Sequence, residues 1–387
     1  MRLALTLTAT LLATSANAQC GGNFGNFVAG LKAEATQKGH PKSAVDRFFS
    51  SARFEQSVIN ADRSQGVFQK DFLAFSQAVI SQGRLNNGAR NSDRFNNTFR
   101  RIEAEYGVPR GVLLAFWALE TDYGAVQGNF NTLNALVTLA HDCRRPELFR
   151  PQIFAALELF ENGDFDPAHT TGAWAGEIGM VQMLPEDLLT NGRDGDGDGQ
   201  VSIKTSAPDA LTSAASMLRD LGWQPNQPWL VEVTVPTNLD WSQSGLTTKK
   251  AARDWAAMGV RARRGNLDNG LPTSLVLPMG RNGPAFIAYP NFDVYFEWNQ
   301  SFVYVTSAAY MATRLSGAQR YNEGTPPRGL SGAEVEQLQR KLQSRGHDVG
   351  GADGILGSKT RAAVQAEQSR LGMPADAWPT RELLGRL

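Results

Sequence analysis

The stretch Val108 to Gly124 constrains this chain more than any other, because every residue from Val112 to Leu119 is apolar and so no side of the helix is polar. Such a helix must be buried all round, and the rest of the chain has to supply the elements that enclose it. Pro109 suits the first turn and Gly124 the stop. Glu120 ends the apolar run. On the last turn of a buried helix a carboxylate sits at the negative end of the helix dipole and away from water, and both effects raise its pKa. A group placed in that way can serve as a general acid. The same residues also suit a Glu that merely emerges from a helix end.

A chain of 387 residues suits two or three domains. Lys plus Arg and Asp plus Glu both number 38, which argues against a nucleic-acid partner held through phosphates. Residues 1–18 read as an export signal: Arg2 is the positive start, Leu3 to Ala13 the apolar stretch, and Ala16-Asn17-Ala18 the cleavage pattern. That run is too short to span a bilayer and nothing later is long enough, so the expectation is an exported protein without a transmembrane segment. Gln19, where a lipoprotein signal wants a small residue, argues against lipid attachment at Cys20. In an oxidising compartment Cys20 and Cys143 can form a disulfide; the alternative is two separate thiols.

From Phe24 to Arg101 the spacing is helical, with polar breaks at Gly39–Pro41 and Gly83–Gly88, and Asp62-Arg63-Ser64-Gln65 reads as a turn or as one wall of a cleft. Further helices are expected over Leu133–Ala140, Pro146–Glu161 and Ala207–Gly222, and one that starts at Asn299–Tyr304 and runs to Ser316. Between these, Leu230–Val235, Ser274–Leu277, Ala285–Tyr289 and Phe292–Trp298 read as strands of a small sheet. Gly and Pro mark a linker between Ser316 and Arg328. A helical unit follows, too small to enclose an active site easily, which favours a binding module.

Two loops carry chemistry. Gly172 to Pro185 is glycine-rich, so its backbone can approach a ligand, and Gln182 offers both donor and acceptor. Asp194-Gly-Asp196-Gly-Asp198-Gly-Gln200-Val201 matches the first two-thirds of an EF-hand loop. Thr205 stands where the closing Glu belongs, and Asp209 is the nearest carboxylate that could complete the shell. A calcium site of modest affinity is the favoured reading, a solvated acidic turn the alternative.

Together, Ala115-Phe-Trp-Ala-Leu-Glu120-Thr-Asp-Tyr-Gly124, Gly128-Asn-Phe, Trp174-Ala-Gly-Glu-Ile-Gly-x-x-Gln182-x-x-Pro185, the aspartate loop and Asn299-Gln-Ser301 resemble, in order, the lytic murein transglycosylase B family. The tail, on Val335-x-x-Leu-Gln339, Asp353-Gly-x-Leu-Gly357 and Thr360-Arg-x-Ala-Val364, resembles a small peptidoglycan-binding domain. The resemblance implies a mainly α (α+β) chain: a lysozyme-like helical catalytic domain over 19–317 with a small β subdomain, a linker over 318–330, and a three-helix binding domain over 331–387.

It further implies non-hydrolytic cleavage of the β-1,4 bond between N-acetylmuramic acid and N-acetylglucosamine, leaving 1,6-anhydro ends. Glu120 is then the single acid and base. Gln182 and Asn299 hold the sugars, Tyr304 is a cleft aromatic, Trp298 stands where Tyr commonly precedes the Asn, and Trp174 lies in the cleft motif. Glu177 occupies a place where a small apolar residue is commoner, and is read as structural ahead of a catalytic helper; Asp122 points away from Glu120. The calcium ligands are Asp194, Asp196, Asp198, Gln200 and Asp209, with no organic cofactor. The expected partners are glycan strands and stem peptides, met by a monomer in a Gram-negative periplasm. A hydrolytic muramidase and a non-catalytic wall-binding scaffold are the competing readings.

Overall fold

A computed structural model describes residues 20–64 and 70–387. The expected export signal lies outside the described residues. No helix among those described is long and apolar enough to cross a membrane. The described residues divide into two compact units, one made of residues 20–63, 128–178 and 184–189, the other of residues 64, 70–127, 179–183 and 190–387.

The first unit is helical: Phe24–Gln37, Lys42–Phe48, Gln56–Arg63, Thr132–His141 and Pro146–Asn162, with a minimal antiparallel pairing of Phe130–Asn131 and Thr171–Gly172. Leu31, Phe48, Leu136, Ile153 and Leu157 are fully buried in it. Asn131 caps its helix by accepting the Asn134 N–H at 2.9 Å, as the sequence signal requires. Cys20 and Cys143 form a disulfide. Beside it the Gly21 N–H donates to His141 O at 2.8 Å, so the segment around Cys20 is tied down. The expected turn at Asp62 is a helix end instead, and the buried Asp62 accepts from Arg144 and, at 2.6 Å, from Arg145. Asp62 therefore serves as a structural ion-pair anchor.

In the second unit, the helix Arg110–Thr121 has Gly111 through Ala118 buried at 3% exposure or less where they are apolar side chains, as its sequence demands. Against it lies the helix Phe302–Leu315. The two backbones come close at Gly111, where a Cβ would stand 2.8 Å from Ala312 O, so any side chain there would push the helices apart. Gly88 works similarly, its missing Cβ lying 2.6 Å from Tyr123 Oη. That corrects the expected break at Gly83–Gly88: the segment lies inside the helix Gln82–Arg94, where Gly88 allows close packing.

A five-stranded antiparallel sheet has the order Lys250–Ala251, Pro272–Val276, Ala285–Ala288, Leu230–Thr234, Arg261–Ala262. Its register pairs Leu230 with Ala288 and Val276 with Phe286, and the fully buried Trp255 fills its core. Phe292–Trp298 is not a strand. It forms the helix Pro290–Trp298, because Pro290 presets the first turn and Asn291, Phe292 and Tyr295 then fall on one buried face. Its β-branched and aromatic content favoured a strand locally, and tertiary burial decided otherwise.

The tail folds as helices Gly332–Gln343, Ser358–Arg370 and Arg381–Arg386. A capping box of Ser331 and Glu334 starts the first. Buried Gln339 ties the unit together, its amide reaching Asp353 Oδ1 at 3.0 Å and Thr360 Oγ1 at 3.2 Å. The segment leading into this unit has neither helix nor strand, yet it is pinned: Tyr321 is buried among Phe72, Phe286 and Tyr310, and Thr325 N donates to Asn282 O at 2.8 Å.

Candidate active site

Glu120 lies on the last turn of its buried helix and is itself half-buried. The helix stops one residue further on, with Asp122 and Tyr123 in the left-handed region ahead of Gly124, so the cap is Asp122 and not the glycine. Two donors from the other side converge on one oxygen: the Trp298 indole N–H reaches Glu120 Oε1 at 3.1 Å, and the Tyr304 hydroxyl donates to the same atom. The elements that deliver them are consecutive. Trp298 ends the helix Pro290–Trp298, Asn299 and Ser301 make the turn, and Tyr304 lies in the first turn of the helix Phe302–Leu315.

The Trp298 donor is held from behind. Phe116, one helical turn before Glu120, stacks on Trp298 with 4.3 Å between ring centroids. Burial, and then the Glu120 charge, push the Tyr304 phenol well above its ordinary 10, so it stays a donor throughout the neutral range. Asp122 is held by Arg84 Nε at 3.0 Å, as expected of a helix-end charge. Chemically this is a carboxylate oriented by fixed donors at the end of a rigid helix, the arrangement that keeps a proton-transfer group in one place.

The other sequence candidates separate. Asn299 uses its side-chain oxygen to accept Ser301 N–H at 2.9 Å, shaping the turn that delivers Tyr304. Gln182 has φ of 53°, and its amide N–H groups are committed to Gly179 O at 2.8 Å and Gln127 O at 3.3 Å. Thr121 anchors the same loop by donating to Met180 O at 2.6 Å. Trp174 and Glu177 belong to the first unit. There Trp174 is half-buried, and the Glu177 backbone carbonyl accepts Ala173 N–H at 2.9 Å in a tight turn. Among the described residues Glu177 Oε2 is buried without a hydrogen-bond partner, and desolvation pushes its carboxyl above the ordinary 4.5.

Asp194, Asp196 and Asp209 bring carboxylate oxygens within 4.8 Å of one another. Asp209 is fully buried and organises the loop, accepting Gly195 N–H at 2.8 Å and Ser202 N–H at 2.8 Å. Asp198 stands outside this cluster, its oxygen accepting Gln200 N–H at 2.8 Å. Sequence reasoning did not find Phe116, Thr121 or Tyr295. Phe116 was signalled by its spacing of one turn from Glu120, whereas Tyr295, fully buried, stacked on Phe116 at 5.0 Å and with a hydroxyl unpartnered among the described residues, carried no such signal.

Comparison with known proteins shows the family. Residues 23–313 match the transglycosylase SLT domain family and residues 331–387 a peptidoglycan binding domain. A curated relative, the membrane-bound lytic murein transglycosylase B of Escherichia coli (strain K12), is 26% identical over 232 residues, 59% of this chain and 63% of that protein. The chain thus spans a little under two-thirds of that relative's length. Among solved structures, SltB3 from Pseudomonas aeruginosa in complex with NAG-anhNAM-pentapeptide is 34% identical with a TM-score of 0.86, covering 95% of this chain and 99% of that one. Escherichia coli lytic transglycosylase Slt35 in complex with calcium is 25% identical with a TM-score of 0.65, covering 77% of this chain and 96% of that one. On the extent of the first match, the chain belongs to the transglycosylase SLT domain family, with a peptidoglycan binding domain at its C-terminus.

Proposed function

We propose that this chain is a lytic transglycosylase that cuts the β-1,4 bond between N-acetylmuramic acid and N-acetylglucosamine in peptidoglycan. The observation that carries the reading is the pair of donors, Trp298 and Tyr304, converging on Glu120 at the end of a buried helix. Glu120 as acid gives its proton to the glycosidic oxygen as that bond breaks. As base it then takes the proton of the muramoyl 6-hydroxyl, whose oxygen closes on the anomeric carbon to form the 1,6-anhydro ring. The substrate's own N-acetyl group stabilises the cationic carbon in between, so one carboxylate suffices where most glycosidases use a pair. The same Pseudomonas relative has been solved with NAG-anhNAM-pentapeptide and with NAG-NAM-pentapeptide, which supports this substrate class.

In this proposal the catalytic domain spans residues 19–317, residues 318–330 link it to a wall-binding domain at 331–387, and the monomer acts in the periplasm after cleavage behind Ala18. Gln182 and Asn299 bind the glycan in this proposal, and Trp174 is a further candidate for sugar contact. Asp194, Asp196 and Asp209, whose oxygens converge, suit a structural calcium ion, with Asp198 and Gln200 as further ligands; the calcium complex of the Escherichia coli relative supports this. The ion would hold the loop and take no part in bond cleavage.

The test is mass spectrometry of muropeptides released from purified sacculi by the mature protein and by Glu120→Gln. Products one water lighter than hydrolysis products, absent with the variant, are expected. Reducing-end products would replace this reading with a muramidase. Equal release by the variant would remove Glu120 from the mechanism.

A further inference from the structure

The C-terminal unit is seated by a buried cation. Arg361, on the helix Ser358–Arg370, is only 6% exposed, and its guanidinium lies between two rings, 4.3 Å from the Phe302 centroid and 5.6 Å from that of Trp378. Its Nη2 donates to Pro278 O at 2.9 Å. Around this centre the contact is polar and matched: Gln365 Nε2 donates to Ser244 O at 2.9 Å, and Asp376 accepts both the backbone N–H and the guanidinium of Arg281 at 3.1 Å. A guanidinium buried in this way is costly unless rings and carbonyls replace its water, so its position is sharply defined. Burial lowers its pKa to about 9, which leaves it charged at neutral pH.

Phe302 is also the first residue of the helix that carries Tyr304, and it is itself 5% exposed. Between the ring that Arg361 stacks on and the hydroxyl that holds Glu120 lies less than one helical turn. That turn is tightly specified: Ser301 caps it by accepting Tyr304 N–H at 3.4 Å, and Asn299 holds Ser301. We infer that Arg361 is a positioning residue for the reaction: by clamping Phe302 it fixes the first turn of the Tyr304 helix, and through Tyr304 the direction of the Glu120 carboxylate. The C-terminal unit thereby contributes to bond cleavage as well as to wall binding. Misplacement of a catalytic group by about 1 Å costs up to about a hundredfold in rate, so a partial loosening of this turn is expected to cost about tenfold.

This inference rests on Glu120 being the acid, and the experiment separates the two. Full-length Arg361→Met, Phe302→Leu, the double variant, Arg281→Ala and Glu120→Gln are assayed for kcat and KM on a soluble muropeptide of about four sugars, too short to need wall binding, and for binding to sacculi. Arg361→Met and Phe302→Leu are each expected to lower kcat about tenfold with KM within about twofold, and the double variant to be no slower than the worse single one, because both cut the same link. Arg281→Ala, which loosens the same contact away from Phe302, is expected to keep kcat. Unchanged kcat in Arg361→Met, losses that multiply in the double variant, or an equal loss in Arg281→Ala would each overturn the inference. If Arg361→Met does not fold, Phe302→Leu decides alone, and unchanged kcat there overturns it. Full activity in Glu120→Gln would instead overturn the proposed function beneath it.

Discussion

Glu120 and Glu177 are both half-buried glutamates, and their surroundings differ in kind. Glu120 ends a rigid helix and receives two donors on one oxygen. Glu177 sits in a glycine-rich turn with one oxygen buried and unpartnered among the described residues, and burial raises its pKa. Burial alone therefore does not set apart the carboxylate proposed as catalytic. What distinguishes Glu120 is that its charged form is met by fixed dipoles, whereas the charged form of Glu177 is penalised.

The largest effect expected from this contrast is at Glu120 itself. Glu120→Gln is expected to lower kcat by about 10²–10⁴-fold, the usual worth of general acid–base catalysis, while Glu177→Gln stays within about twofold of the parent in the same muropeptide assay. A comparable loss in both would erase the distinction. Next comes the better-buried donor. Tyr304→Phe removes a hydrogen bond to a charged group, worth about 1.5–3 kcal/mol, so kcat is expected to fall by about tenfold to a hundredfold. Trp298→Phe keeps the stack on Phe116 and loses only the indole donor, and a smaller loss is expected in the same kinetics.

Calcium offers a control that touches neither glutamate. Chelation is expected to lower the melting temperature by a few degrees and leave the products unchanged, since an ion at a hundredfold excess over its Kd stabilises by about 2.7 kcal/mol. Unchanged melting in differential scanning calorimetry would remove the ion from the loop. The smallest effect is a pH dependence. The folded-state pKa of Glu177 lies above its ordinary 4.5, so the folded protein binds more protons than the unfolded chain in that window. Its contribution to stability is therefore present at low pH and lost as pH rises from 4.5 through the raised value. Glu177→Gln is expected to flatten this part of the curve and to melt slightly higher at pH 7; identical curves for the two proteins would mean that the unpartnered oxygen carries no penalty.

The elements that were legible in the sequence are those whose cause is local. A continuous apolar run from Val112 to Leu119 admits only a fully buried helix, and the strand Leu230–Thr234 and the cap at Asn131 follow from alternation and from a side-chain acceptor. The elements that were misread depend on distant partners. Gly88 looks like part of a break until the Leu315 and Tyr123 side chains packed on it are known, and Phe292–Trp298 has the composition of a strand until its burial face is known. The docking of Arg361 had no sequence signal, because nothing local distinguishes it from an exposed arginine on a helix.

The aspartate loop shows the same division within one site. Alternating Asp and Gly announce a cation, but the third carboxylate in the cluster is the buried Asp209, not the nearer Asp198. The sequence by itself determined the buried helix, the acid at its end, the order of the motifs and the kind of polymer they point to, since each depends on residue type and spacing along the chain. Only the tertiary structure decided which side chains aim at Glu120, which carboxylates converge and which cation seats the C-terminal unit. Those depend on directions and distances between residues far apart in sequence, Glu120 with Tyr304 and Phe302 with Arg361, which packing sets and periodicity cannot.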